Sequence, residues 1–133
     1  MGRVVPYILY EDVGGALDWL SAAFGFREEL RYVGPDKSVT HAEMRYGDDA
    51  IMLGDPGDDF EGPHRHGRVC QQVLVYVDDV DAHFGQARAA GASVLERPAD
   101  QAYGTRRYRA TDPEGHVWDF HQTLRAVPAA EWG

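Results

Sequence analysis

Cysteine is nearly absent from this chain: Cys70 is the one thiol in 133 residues. A single cysteine excludes an intramolecular disulfide and any cysteine-based zinc site. With no base beside it in sequence, Cys70 reads as a small buried residue rather than a nucleophile. Long apolar runs are also missing. The opening residues, Met1 to Pro6, form no signal peptide or membrane span, and Pro6 stands where a myristoylation motif needs Ser or Thr. The expected location is cytoplasmic. Basic residues are outnumbered, 13 Lys and Arg against 22 Asp and Glu, for a net charge of −9. A field of that sign repels phosphate backbones and anionic lipid, so neither nucleic acid nor a membrane is an expected partner. Neither a Gly-rich phosphate loop nor a nucleophile elbow appears. What remains is 44% apolar and 26% charged residues, the make-up of a globular domain with enough chain for one core.

The order of the residues contains a repeat. Tyr7-Ile8-Leu9-Tyr10-Glu11-Asp12-Val13 reads as a strand running into a helix, and so does Val73-Leu74-Val75-Tyr76-Val77-Asp78-Asp79-Val80. Each copy continues into an amphipathic helix. The first, about Gly14 to Phe24, aligns Leu17, Leu20 and Phe24; the second, about Val80 to Ala90, aligns Val80, Phe84 and Ala87. Asp12 and Asp79 stand at the N-cap positions, and Gly25 and Gly91 where a left-handed C-terminal cap belongs. Period-two strands follow at Phe26–Val33, His41–Arg45 and Ala50–Leu53, and in the second copy at Ser93–Glu96, Thr105–Ala110 and His116–His121. Gly54 to Gly67 reads as an irregular loop, Arg97 to Gly104 as a shorter loop, and the tail from Leu124 has no clear element. The expectation is an α+β fold of two tandem βαβββ modules in one domain over residues 1–133. Module one covers about 4–54, a linker 55–69, module two about 70–122 and a tail 123–133.

Tyr103-Gly104-Thr105-Arg106-Arg107-Tyr108 leading to Asp112-Pro113-Glu114-Gly115-His116-Val117-Trp118-Asp119-Phe120 resembles the vicinal oxygen chelate superfamily. Val75-Tyr76-Val77-Asp78-Asp79-Val80, Phe24-Gly25-Phe26 and His41-Ala42-Glu43-Met44 add to that resemblance, which spans about residues 4–122. That superfamily holds glyoxalase I, bleomycin-resistance proteins, fosfomycin-resistance enzymes and extradiol dioxygenases. It implies a cup-shaped mixed sheet with helices on the convex face, a ligand site on the concave face, and often a homodimer.

Metal-dependent members place ligands on the first and last strands of each module. The matching positions here are Val5, Met52 (or Ile51), Gln72 and Asp119. Two of the four are aliphatic or thioether groups, which a hard divalent ion does not choose. No metal and no cofactor is therefore expected; Gln72 and Asp119 are the residual candidates. His41 and Glu43, two apart on a strand, leave the same face. They either join Gln72 and Asp119 in an altered site or form a polar strand face while Ala42 and Met44 pack on the helix. His64 and His66 read as solvent-exposed, and His116 as bonding the backbone locally. His121 is left open between the cup and the core.

Alternation from Gln72 puts Leu74 and Tyr76 in the cup, and the same parity in module one selects Val5, Tyr7 and Leu9. Tyr103 is placed to close the pocket and Phe60 to cover it. The expected ligand-binding set is thus Tyr7, Leu9, His41, Glu43, Met52, Phe60, Gln72, Leu74, Tyr76, Tyr103, Arg107, Asp119 and His121, with no catalytic residue. This reading is a non-catalytic homodimer that sequesters an antibiotic or other drug-sized aromatic small molecule. The alternative is a metal-dependent glyoxalase-like lyase or isomerase, or a dioxygenase, with an altered site.

Overall fold

The computed structural model describes residues 2–133. In module one, β1 (Tyr7–Leu9) leads into α1 (Val13–Phe24), followed by β2 (Arg27–Val33), β3 (Val39–Tyr46) and β4 (Asp49–Gly54). Module two repeats the order with β5 (Gln72–Tyr76), α2 (Val80–Ala89), β6 (Ser93–Asp100), β7 (Thr105–Thr111) and β8 (Val117–Thr123). The expected α+β class and the paired βαβββ modules are both present. Each module makes its own four-stranded mixed sheet, β1-β4-β3-β2 and β5-β8-β7-β6. In each, the first strand runs parallel to the last while the other neighbours are antiparallel.

The helices form where the apolar stripe and the caps predict. In α1, Val13, Ala16, Leu17, Leu20, Ala23 and Phe24 are buried at helical spacing. The Asp12 carboxylate accepts the Gly15 amide at 2.9 Å, and Gly25 ends the helix at φ 79°. In α2 the Asp79 carboxylate accepts the Ala82 amide at 3.1 Å. Its C-cap is Ala90 at φ −86°, and the left-handed turn comes one residue later at Gly91, φ 94°.

One core joins both modules. Leu20 and Phe24 from α1, Met44 and Leu53 from the first sheet, Val80 from α2 and Trp118 and Phe120 from the second sheet are wholly buried together. Each such side chain contributes about 1.5–3 kcal/mol relative to exposure. Two α2 side chains also finish the end of α1. The His83 Nε2–H donates to the Phe24 carbonyl at 2.8 Å and the Gln86 amide to the Ala22 carbonyl at 2.9 Å. Both carbonyls lie in the last turn, where helical partners run out. In return, Trp19 in the middle of α1 donates its indole N–H to the carbonyl of Ala90, the C-cap of α2, at 2.9 Å.

The Asp112-Pro113-Glu114-Gly115 turn locks module two onto module one. Asp112, 4% exposed, accepts four hydrogen bonds: from the Tyr10 hydroxyl (2.7 Å), the Trp118 indole (3.0 Å) and the amides of Glu114 and His116. The two Glu114 oxygens accept the amides of Glu11 and Asp12 at the start of α1, at 2.7 and 2.9 Å. A carboxylate there also sits at the positive end of the helix dipole. His116 bonds the backbone, but of the other module: its Nε2 donates to the Leu9 carbonyl at 2.8 Å.

Four expectations are corrected here. β6 runs on to Asp100 instead of stopping at Glu96, because register shifts between Val94, Glu96 and Ala99 let the pairing with β7 pass Pro98. The linker carries a 3-10 turn, Pro63–Arg65, pinned when the Arg65 guanidinium grips Glu11 at 2.7 Å. The tail folds a 3-10 turn, Ala129–Glu131. Cys70 is exposed, since it precedes β5 in the linker, outside the core. No helix among the described residues is long and apolar enough to cross a membrane.

Candidate functional site

Both sheets lay one face on the helices and turn the other away from the core. On the first sheet the register puts Tyr7 beside Met52, Met52 beside Glu43 and Glu43 beside Leu30, with His41 beside Tyr32. These residues share the outer face, while Ile8, Ala42, Met44, Ile51 and Leu53 are buried in the core. His41 and Glu43 therefore form the polar strand face while Ala42 and Met44 pack inward, the second of the two readings. Ile51 belongs to the core, which leaves Met52 as the outward residue of β4. Tyr7, Leu9, Leu30 and Tyr32 are large apolar groups left exposed.

The polar groups on this face are linked. The Tyr7 hydroxyl lies 2.9 Å from His41 Nδ1, and His41 Nε2 lies 3.3 Å from the Glu43 carboxylate. Imidazole bonded on both nitrogens is held in one orientation. The Tyr7 ring also lies across Gly54, where any Cβ would collide with it. A residue other than Gly would displace the ring.

The second sheet shows Gln72, Leu74 and Tyr76 on β5, with Leu74 and Tyr76 exposed. Asp119 and His121 follow on β8, and Arg107 and Arg109 pair beside them on β7. Trp118 and Phe120 point into the core, as alternation requires. His121 belongs to the outer face, yet it and Asp119 are each only 3% exposed, because neighbouring side chains cover them. His121 Nδ1 is 2.9 Å from the Thr105 hydroxyl. Its Nε2 is 3.0 Å from the Asp119 carboxylate, but the N–H is not aimed at that oxygen, so the approach is close without being an aligned hydrogen bond. Arg107 bonds Glu96 at 3.1 Å, and Arg109 bonds Gln72 at 2.8 Å. Tyr103 is half-buried, its ring centroid 6.0 Å from that of His121.

The metal positions do not fit a divalent ion. Val5 and Met52 offer no hard donor, the Gln72 oxygen is taken by a guanidinium, and Asp119 is flanked by His121 and by Arg107 at 3.9 Å. A cation at Gln72 and Asp119 would have to displace Arg109 and then sit beside Arg107. Nor does the chain assemble His41, Glu43 and Asp119. Among the described residues, the one group of three His or carboxylate ligand atoms within 4.8 Å is Glu11, His64 and Glu114, on the helix side of the molecule. There every carboxylate oxygen already accepts an N–H. Glu11 takes Arg65 and the Gly62 amide, which hold its carboxyl down to about 2. His64 Nδ1 donates to the Glu114 carbonyl at 3.0 Å. This is a latch between linker and modules; His64 is exposed, as expected, and one ring nitrogen reaches back to the Glu114 carbonyl.

Of the expected residues, Tyr7, Leu9, Phe60, Gln72 and Leu74 line one groove of about 750 Å³ between β1, β5 and the linker. His41, Glu43 and Met52 lie on the first sheet outside that groove; Tyr76, Tyr103, Arg107, Asp119 and His121 lie on the second. Sequence reasoning missed Leu30 and Tyr32, although alternation along β2 carries the signal. It also missed Thr105, Arg109 and Glu96, which only strand register brings to this face, and Trp132 in the tail.

Comparison with known proteins agrees with this architecture. Residues 2–120 match the model of the Glyoxalase/Bleomycin resistance protein/Dioxygenase superfamily. An uncharacterized protein of Mycobacterium bovis is 34% identical over 127 residues, 92% of this chain and 84% of that protein. The crystal structure of TioX from Micromonospora sp. ML1 is 35% identical, superimposes with a TM-score of 0.77, and is covered in full by 93% of this chain. The fosfomycin resistance protein FosX of Listeria monocytogenes shares the fold at 17% identity and a TM-score of 0.68, with 100% of this chain and 98% of that one covered. The chain belongs to the Glyoxalase/Bleomycin resistance protein/Dioxygenase superfamily.

Proposed function

We propose that this protein binds a planar, drug-sized small molecule without converting it, and that it does so as a homodimer in the cytoplasm. The observation that carries the reading is the pair of outer sheet faces. They expose Tyr7, Leu9, Tyr32, Leu74 and Tyr76 to water around a few fixed polar groups. Apolar surface of this kind marks a binding site. The two helices and their shared core lie between the sheets, so a cup needs the first sheet of one copy to face the second sheet of its partner. In that cup Tyr7, Leu9, Met52, Phe60, Leu74, Tyr76 and Tyr103 supply apolar contacts. His41, Glu43, Gln72, Arg107, Asp119 and His121 orient the ligand. An antibiotic of aromatic or glycopeptide type fits this lining. Metal-dependent lyase or dioxygenase chemistry is disfavoured by the donor set, in which arginines occupy the space beside Gln72 and Asp119.

The test is a thermal-shift screen against planar, glycosylated and peptidic natural products, bleomycin among them, with hits measured by calorimetry. A ligand at a hundredfold its Kd adds about 2.7 kcal/mol of stability. That corresponds to a rise in Tm of roughly 8–12 °C for a domain of this size. The absence of any shift at millimolar concentration would defeat the proposal. So would one Ni, Zn, Mn or Fe(II) ion retained per chain after soaking and desalting, and lost in Asp119→Ala.

A further inference from the structure

We infer that the C-terminal tail belongs to the ligand site, with Trp132 forming an aromatic wall for a planar guest of two or more fused rings. This rests on the binding reading above and extends it to a segment with no assigned role. The tail is fixed where it leaves β8. The amides of Leu124 and Arg125 both donate to the Gly104 carbonyl, at 2.8 and 3.1 Å. Gly104 has φ 99°, and a Cβ there would run into the Arg125 carbonyl, so glycine permits the tail to lie this close. The 3-10 turn then closes through Glu131 to Pro128 and Trp132 to Ala129 backbone bonds.

The turn brings the Trp132 ring edge-on to Tyr103, centroids 6.1 Å apart at 66°. The indole N–H donates to the Val127 carbonyl at 2.8 Å, which satisfies its one polar atom and sets the ring's direction. Yet the residue remains 51% exposed. A rigidly held indole with its donor satisfied and half its surface in water contributes little to the core. Tyr103 in turn lies 6.0 Å from His121, and His121 lies 5.8 Å from Tyr76. The rings of Tyr76, His121, Tyr103 and Trp132 thus form a continuous series on the outer side of the second sheet. Each step is near 6 Å, so a guest that touches Tyr76, Tyr103 and Trp132 together exceeds a single six-membered ring. Trp132 is also the optical reporter of the set, since Trp118 is fully buried and Trp19 packs between the helices.

The experiment titrates proflavine, a planar tricycle, into wild type, Trp132→Phe and Trp132→Ala by calorimetry and by tryptophan emission. Salt at about 0.3 M screens the net charge. Far-UV circular dichroism checks that both variants are folded. The expected result is a Kd about tenfold weaker for Trp132→Ala, equivalent to about 1.4 kcal/mol. Trp132→Phe should retain most of the affinity, and at saturation the emission of wild type should be quenched more strongly than that of Trp132→Phe, whose remaining Trp19 and Trp118 report only at a distance. Wild-type affinity in Trp132→Ala overturns the wall and leaves the cup intact. No heat and no emission change with wild type overturns the wall as a platform for fused rings, while the binding reading stands or falls with the ligand screen.

Discussion

Replacing Asp112 tests how the two modules are held together. Its carboxylate is 4% exposed and uses both oxygens fully: Tyr10 and Trp118 donate to one, the Glu114 and His116 amides to the other. Asp112→Ala removes the acceptor and strands four donors. An unpaired buried donor costs about 1–3 kcal/mol. Asp112 borders a cavity of about 370 Å³ beside Trp19 and Leu20, so water admitted by the truncation re-satisfies some of them. The low end of the range then applies, about 3–4 kcal/mol in total, or roughly 10–15 °C in Tm. Asp112→Asn should be nearly as harmful, since its NH2 would face two donors. Urea unfolding of Tyr10→Phe, Asp112→Ala and the double variant measures the coupling, expected at about 1–2 kcal/mol. A loss below about 1 kcal/mol for Asp112→Ala, or additive single changes, would refute the account.

Three further outcomes follow from the same physics. The Glu11 carboxyl is held at about 2 by the Arg65 hydrogen bonds and the Gly62 amide, below its ordinary 4.5. Its contribution is present above pH 4.5 and is lost as pH falls toward 2, so the stability gap between wild type and Glu11→Gln should close over that window in urea melts. Burial lowers the His83 pKa below 6.5, where the neutral ring donates to Phe24 and accepts from Tyr108. Stability should therefore be complete above pH 6.5 and fall as pH drops through the lowered value. His83→Gln should flatten that fall, and an NMR titration of His83 with an ordinary midpoint would contradict it. Tyr32→Lys places a charge on the exposed outer face of the first sheet. If the proposed homodimer uses this face, Tm should stay within a few °C of wild type while light scattering shows a shift from dimer to monomer; a stable dimer would place the interface elsewhere.

Much of the fold was legible because it depends on short-range patterns. The stripe from Val13 to Phe24, the Asp12 and Asp79 caps and the alternation along β5 and β8 each act within a few residues. They were enough to separate Trp118 and Phe120 from Asp119, and Leu74 from Val75. The extension of β6 past Pro98 was hidden because it depends on a bulge against β7. The partner of His116 is not legible in the sequence around it, because its acceptor, the Leu9 carbonyl, lies in the other module. Cys70 reads as core by residue type, yet it falls in the linker, where burial depends on what packs above it.

The sequence by itself determined the two βαβββ modules and the faces of their strands, because these follow from periodicity; the metal positions came from the family resemblance, and the side chains standing at them supplied the mismatch. Only the tertiary structure decided that Arg109 holds Gln72, that Asp119 and His121 lie covered, that Glu11, His64 and Glu114 form a latch, and that Trp132 reaches Tyr103. Those outcomes depend on strand register and on contacts between residues far apart in the chain; for Gln72, Arg109, Asp119 and His121 a one-residue change of register would send the side chain to the opposite face.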